Sequence, residues 1–283
     1  MKKPSLKLYL TFTFATAWII QVIVFFLYRS DAAQISQLIM AAMMWVPALG
    51  AVLAGGNLKT LGWKPQVKKN IKVILLSWFL PALLTAIGAA LYFLIFPSHF
   101  DLSGSLIATE GVMAALQEQG VSYSQYILIS IIQAVTFAPL LNTFFALGEE
   151  IGWRGFMYPQ LKERYGRTRG RLLGGLIWGV WHWPLIWLIG YEYGTNYPGY
   201  PVSGMLLFLV FSVSLGIFCD YAYEKSGSIW LPSLLHGAIN AAAGIPLAVS
   251  GVGVKRLLGP APVGVIGGIG YVIVGVVILV KEK

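Results

Sequence analysis

The sequence predicts an all-α, polytopic membrane protein with about eight transmembrane helices, and three observations indicate that class. Hydrophobic residues make up 57% of the 283 residues and charged residues only 11%, well below the roughly 25% of a soluble domain. Several uncharged runs are about 20 residues long, which is the length that a helix needs to cross a bilayer. The polar stretches between them are too short for a separate soluble domain. We therefore expect one membrane domain over residues 1–283.

The apolar runs place the helices in order along the chain. The first, near 8–28, follows three lysines, but it is longer than the 7–15 residues of a signal-peptide core, so we expect it to remain as a span. A loop over 98–125 has room for a short surface helix. The other spans are predicted near 35–54, 71–96, 126–148, 170–190, 202–223, 229–250 and 263–280.

Eight crossings place both termini on one side of the membrane, and the cations indicate which side. With the N-terminus inside, 17 of the 20 Lys and Arg residues lie in inside segments and three lie outside. The positive-inside rule then predicts cytoplasmic termini in a bacterial-type inner (plasma) membrane. The net charge of +9 thus reflects topology and contact with the lipid bilayer, and no nucleic-acid partner is expected.

A first polar cluster lies at the inside end of the fourth span, where Glu149, Glu150 and Arg154 are close in sequence. Charged groups at membrane depth are costly, so they are functional candidates. If the helix continues, Glu150 and Arg154 lie four residues apart on one face and can pair. Glu149 is rotated by about 100° and left unpaired, and such a carboxylate in a dry cavity can act as a base. The alternative is an ordinary helix end with a surface ion pair.

Two further clusters each contain a histidine. His182 lies in the middle of the fifth span, and Pro184 is expected to bend the helix and open space around the ring. In the seventh span, His236 and Asn240 are four residues apart, so both can donate hydrogen bonds to the same point. Two converging donors suit the oxyanion of an acyl-transfer transition state. Hydrogen bonding between helices is the alternative for both clusters.

Together the three clusters offer a base, a proton donor and paired oxyanion donors, all predicted in the cytoplasmic half of the bilayer. A hydrolytic site needs such a set, whereas contacts that only hold helices together would not need all of it. Two other hypotheses remain. One is a non-catalytic membrane protein that uses the same residues for packing or partner binding, and the other is a small transporter that relays protons through them.

The clusters resemble the motifs of the CPBP or Abi group of intramembrane proteases, which includes the type II CAAX prenyl endopeptidases. That family is identified by EExxxR, FxxxH and HxxxN or HxxxD motifs in this order. Here the motifs read Glu149-Glu150-x3-Arg154, Trp178-x3-His182 and His236-x3-Asn240. They lie within a predicted catalytic core of residues 126–245. Trp178 departs from the Phe of the family pattern, but it keeps an aromatic ring and is expected to leave the reacting residues untouched.

The resemblance implies that the chain is an enzyme that hydrolyses a peptide bond inside the membrane. The implied partner is a membrane-anchored peptide or protein, such as a prenylated CAAX protein; bacteriocin immunity or partner binding without catalysis is also known in the family. The roles that the resemblance implies are water activation by Glu149 with help from His182, oxyanion binding by His236 and Asn240, and bracing of the site by Glu150 and Arg154.

No cofactor and no metal ion are expected, although zinc is an alternative. Glu149, His182 and His236 could in principle supply three zinc ligands, with water as the fourth. Asn240 is a poor zinc ligand and a natural oxyanion donor, and the sequence contains no HExxH motif. The residues therefore favour a metal-free glutamate mechanism.

The predicted orientation can be tested by cysteine labelling. Tags placed at Lys64 and Arg167 should react with a membrane-impermeant reagent only from the cytoplasmic side, and tags near Glu110 only from the outside, because of the distribution of cations. The reverse labelling pattern would contradict the predicted topology.

Overall fold

The computed structural model describes residues 4–30, 32–106, 108 and 110–282. An isolated bridge joins Phe100 to Ser250, and none of the described residues belongs to a β-strand. The α-helices are, in chain order, α1 (Leu6–Tyr28), α2 (Ala33–Met43), α3 (Val46–Leu53), α4 (Val67–Ile95), α5 (Glu110–Glu118), α6 (Tyr123–Val135), α7 (Ala138–Gly152), α8 (Tyr158–Tyr165), α9 (Arg167–Trp181), α10 (Trp183–Ile189), α11 (Val202–Ser226), α12 (Trp230–Ala242), α13 (Ile245–Ala248) and α14 (Ile269–Lys281).

Six helical stretches among the described residues are long and apolar enough to cross a bilayer, and a bent pair makes a seventh. In that pair, α6 meets the stretch Ala138–Tyr165 at 56°. The protein is thus an all-α polytopic membrane protein. The predicted eighth crossing is not confirmed, because α14 has only 13 residues, fewer than the about 20 of a full span. The helix predicted over 263–280 begins only at Ile269, since the Gly- and Pro-rich residues before it form turns.

Four stretches that were predicted as continuous helices are broken near their middle or end. In each case the second residue of the following helix is a proline, which lacks a backbone donor and fits only the first turn of a helix. The four prolines are Pro47 in α3, Pro139 in α7, Pro184 in α10 and Pro246 in α13. Pro184 thus interrupts the helix beside His182, as the sequence predicts. Irregular backbone at membrane depth is tolerated where it lines a cavity or is buried in protein.

Helix α12 occupies the centre of the bundle, where it packs against α7, α4 and α11. Gly237 permits a close approach of α12 to α7, because a Cβ atom at this position would lie 2.6 Å from the backbone nitrogen of Thr143. Only glycine fits between two backbones at this distance. The contact places the residue before it, His236, against the carboxyl end of α7.

An ion-pair network fastens the cation-rich end of the bundle. Its centre is the fully buried pair of Arg171 on α9 and Asp220 on α11, with 2.7 Å between Nε and Oδ2. Lys162 on α8 contacts the other oxygen of Asp220 at 2.7 Å. Glu224 accepts from both Arg171 and Lys162, at 2.8 and 2.7 Å. Helices α8, α9 and α11 are therefore held together by buried or half-buried charges that compensate one another.

Replacing Asp220 with Asn should destabilise the protein, because the buried guanidinium of Arg171 loses its closest counter-charge. Removal of one partner of a buried pair costs about 3 kcal/mol. Asp220→Asn should therefore lower the Tm in detergent by several degrees. Glu163→Gln, which removes an exposed carboxylate on α8, should not. An unchanged Tm for Asp220→Asn would show that the network does not stabilise the fold.

Candidate active site

Glu150 is the centre of a buried polar contact between two helices. Its Oε1 atom accepts a hydrogen bond from Nη1 of Arg154 at 2.8 Å, and neither side chain is exposed. The same oxygen lies 2.9 Å from Nδ1 of His236 on α12. The structure thus contains the predicted pair of Glu150 and Arg154. It also joins this pair to His236, a contact that the sequence spacing did not predict.

The local backbone at Arg154 differs from the predicted α-helix. Residues Trp153–Met157 form a π-helical turn between α7 and α8. Such a turn is wider than an α-helical turn and occurs mostly at functional sites. Here it still leaves Arg154 within reach of Glu150, and it places the guanidinium 4.4 Å from the ring centre of Trp178.

Glu149 has no cationic partner among the described residues, but it is not without hydrogen bonds. Its Oε2 atom accepts from the indole nitrogens of Trp153, at 2.9 Å, and Trp178, at 2.6 Å. Glu149 thus stays outside the ion pair, as the spacing predicts, but two neutral donors that the spacing did not predict hold one of its oxygens. The expectation that Trp178 leaves the reacting residues untouched is wrong, since Phe in its place could not donate this bond.

His182 lies at the break between α9 and α10, where it ends one helix and begins the next. Its Nδ1 atom is 3.0 Å from the carbonyl oxygen of Trp178. A carbonyl oxygen only accepts, so Nδ1 carries a proton, and in a neutral ring Nε2 would then be an acceptor. The backbone is also satisfied across the break, because Gln21 on α1 donates to the carbonyl of Trp181 at 2.9 Å.

A cavity of about 360 Å³ brings the predicted site residues together. Glu149, His182, His236 and Asn240 all line it, whereas Glu150 and Arg154 do not. Most of the remaining wall is apolar and includes Met40, Met43, Leu185, Phe208, Leu215 and Ile239. The six predicted residues thus separate into four that face the cavity and two that lie behind its wall.

Glu192 is a cavity residue that the sequence analysis missed. It belongs to the segment after α10, it lines the cavity, and its backbone has a φ of 67°. A non-glycine residue in this left-handed region is uncommon and marks a constrained position. Burial raises the pKa of the Glu192 carboxyl. Nothing in the spacing of Gly-Tyr-Glu-Tyr-Gly indicated that Glu192 lines the same cavity as the predicted site residues.

The arrangement of the side chains also bears on the zinc alternative. Within the described ranges, no three His, Cys, Asp or Glu side chains are grouped so that they could hold a metal ion. Glu149 directs Oε2 at two indoles, and Nδ1 of His182 and of His236 are engaged by a carbonyl and a carboxylate.

The pair of Glu150 and Arg154 should support both stability and any activity of the site. Arg154→Ala leaves the carboxylate of Glu150 without its cation in a fully buried position, at a cost of about 3 kcal/mol. The Tm in detergent should fall, while Arg164→Ala, which changes an exposed arginine on α8, should leave it unchanged. If the Tm of the Arg154→Ala protein equalled that of the parent, the bracing role would be contradicted.

Comparison with known proteins was consistent with the site geometry. Residues 124–242 match the family described as type II CAAX prenyl endopeptidase Rce1-like. A similar curated protein is CAAX prenyl protease 2 of Methanococcus maripaludis, which is 31% identical over 109 residues. The match covers 38% of this chain and 38% of that protein's own length. Residues 124–242 of this chain are therefore similar to the type II CAAX prenyl endopeptidases of the Rce1-like family.

Proposed function

We propose that the chain is an intramembrane endopeptidase in which Glu149 activates the attacking water, with a catalytic core at residues 126–245. The observation that carries this proposal is that a carboxylate, a histidine and a His-x3-Asn pair line one cavity. A base must lie within hydrogen-bond reach of the proton that it takes, directly or through one water. A shared cavity at membrane depth offers that geometry.

The proposed chemistry uses both oxygens of Glu149 differently. The indoles hold Oε2, and Oε1 takes a proton from a water molecule in the cavity. The resulting hydroxide attacks the scissile carbonyl carbon and forms a tetrahedral oxyanion. The C–N bond then breaks, and the leaving nitrogen receives the proton that Glu149 took, either directly or through His182. Water is thereby divided between the new carboxylate and the new amine.

His236 and Asn240 are proposed to stabilise the oxyanion. Nδ1 of His236 points at Glu150, so its remaining nitrogen, Nε2, must be the donor. Glu150 and Arg154 would act behind the wall, where the contact of Glu150 with Nδ1 sets the orientation of His236.

The apolar wall suits a membrane-anchored substrate. Apolar side chains, among them methionine, leucine, isoleucine and phenylalanine, make up most of the lining, and such a surface accepts apolar side chains or an isoprenoid chain. The relative's name, CAAX prenyl protease 2, supports a prenylated CAAX protein as one substrate class. The site lies toward the cation-rich end of the bundle, so we place cleavage near the cytoplasmic surface of an inner (plasma) membrane, with both termini cytoplasmic.

Loss of the carboxylate should abolish cleavage without loss of the fold. Parent protein in lipid nanodiscs should cut a membrane peptide, prenylated or unprenylated, and Glu149→Gln should not, because an amide cannot take a proton from water. Glu163→Gln is the matched control and should retain full activity. A Glu149→Gln protein that cleaves at the parent rate would overturn the mechanism. A parent that cleaves neither peptide would favour a non-catalytic or proton-relaying role.

The oxyanion role of Asn240 predicts a change in turnover more than in binding. Its donor is needed only once charge develops on the carbonyl oxygen, and loss of one such donor costs on the order of 100- to 1,000-fold in kcat. Asn240→Ala should therefore lower kcat by about this factor, with KM changed by less than roughly threefold. A variant with raised KM and parental kcat would make Asn240 a substrate-binding residue instead.

A further inference from the structure

We propose that Trp178 is a positioning residue that fixes the catalytic orientation of Glu149, a role that rests on the proposed function. The indole nitrogens of Trp178 and Trp153 both donate to the same oxygen of this carboxylate, Oε2, at 2.6 and 2.9 Å. A carboxylate held on one oxygen by two donors from different helices has a single orientation available. The other oxygen, Oε1, makes no hydrogen bond within the described residues and is left for a cavity water.

The two donors come from different parts of the chain, the π-helical turn and α9. Trp153 is in the π-helical turn and is fully buried against Tyr9 on α1 and Trp181 on α9, with ring centres 5.9 Å apart in both cases. Trp178 is on α9 and lines the cavity, whereas Trp153 does not. Because each indole is locked by packing of its own, the carboxylate is held by groups that cannot easily follow it.

Trp178 also connects the charges of the site to one another. The guanidinium of Arg154 lies 4.4 Å from the centre of its ring, and a cation over an indole face attracts the ring electrons. The same ring packs edge-on against His236 with 5.2 Å between centres. A polarised indole is a stronger N–H donor, so the charge of Arg154 acts on Glu149 through Trp178 as well as on Glu150 directly.

Phe removes the indole donor while it keeps an aromatic ring, so it separates hydrogen bonding from packing. Trp178→Phe and Trp153→Phe should each lower kcat on the order of 10-fold, since a hydrogen bond to a charged group is lost. Trp153 does not reach the cavity, so KM should stay within about twofold of the parent in Trp153→Phe. Trp63→Phe is the matched control, because Trp63 also donates its indole proton, at 2.7 Å to the carbonyl of Leu58, but lies outside the cavity.

The kinetic measurement is paired with an infrared difference spectrum, which does not need turnover. Trp178→Phe should shift the carboxylate stretching band relative to the parent. The same substitution made in a Glu149→Gln protein should not, because the carboxylate that reports the bond is absent.

The outcomes separate this inference from the proposed function. The positioning role would be overturned if both Trp variants kept the parental kcat per folded molecule. It would also be overturned if Trp178→Phe gave no band shift that depends on Glu149. In either case the protease assignment would stand. A parent without any cleavage but with the band shift would overturn the protease assignment while the hydrogen bond stands. If Trp63→Phe lowered kcat as much as Trp178→Phe does, the effect would come from the loss of any indole, and the positioning role of Trp178 would be contradicted.

Discussion

The contact of one carboxylate oxygen with two cationic or polar partners determines how the centre of this bundle is arranged. Oε1 of Glu150 receives both Arg154 and His236, and all three side chains are buried. An unpaired charge at this depth would cost several kcal/mol, so α7, the π-helical turn and α12 must stay in register for the protein to fold. The glycine at 237 allows that register, because it lets α12 approach the backbone of α7.

The groups that face the cavity depend on the buried contact of Glu150 with Arg154 and His236, although most of them do not take part in it. Glu149 is the neighbour of Glu150 on the same helix, so fixing one carboxylate behind the wall turns the other toward the cavity. His236 belongs to both, with Nδ1 on Glu150 and a place in the cavity lining. Prolines interrupt the surrounding helices, and Gln21 donates to the backbone carbonyl of Trp181 at one of these breaks. A buried ion pair and an adjoining cavity with polar residues thus result from the same few contacts.

Much of this arrangement follows from sequence patterns with clear physical causes. Four-residue spacing predicted that Glu150 meets Arg154, and the missing donor of Pro184 predicted the break at His182. Contacts between distant helices could not be predicted in this way. Nothing in the sequence indicated that His236 reaches Glu150 or that Trp178 donates to Glu149, because both depend on how α9 and α12 pack on α7. The turn that carries Glu192 has left-handed residues at Gly190, Glu192 and Gly194; the two glycines mark a turn, but no local pattern shows that Glu192 lines the cavity.

The central claim is that Glu149 activates water without a metal ion, and a combined metal and activity measurement tests it most directly. Purified protein is treated with a chelator, its metal content is determined, and cleavage of one membrane peptide is followed before and after zinc is returned. If Glu149 activates water without a metal ion, activity should stay parental at far less than one metal ion per protein, and zinc should give no gain. Stoichiometric zinc, with activity lost to the chelator and restored by zinc, would contradict the mechanism.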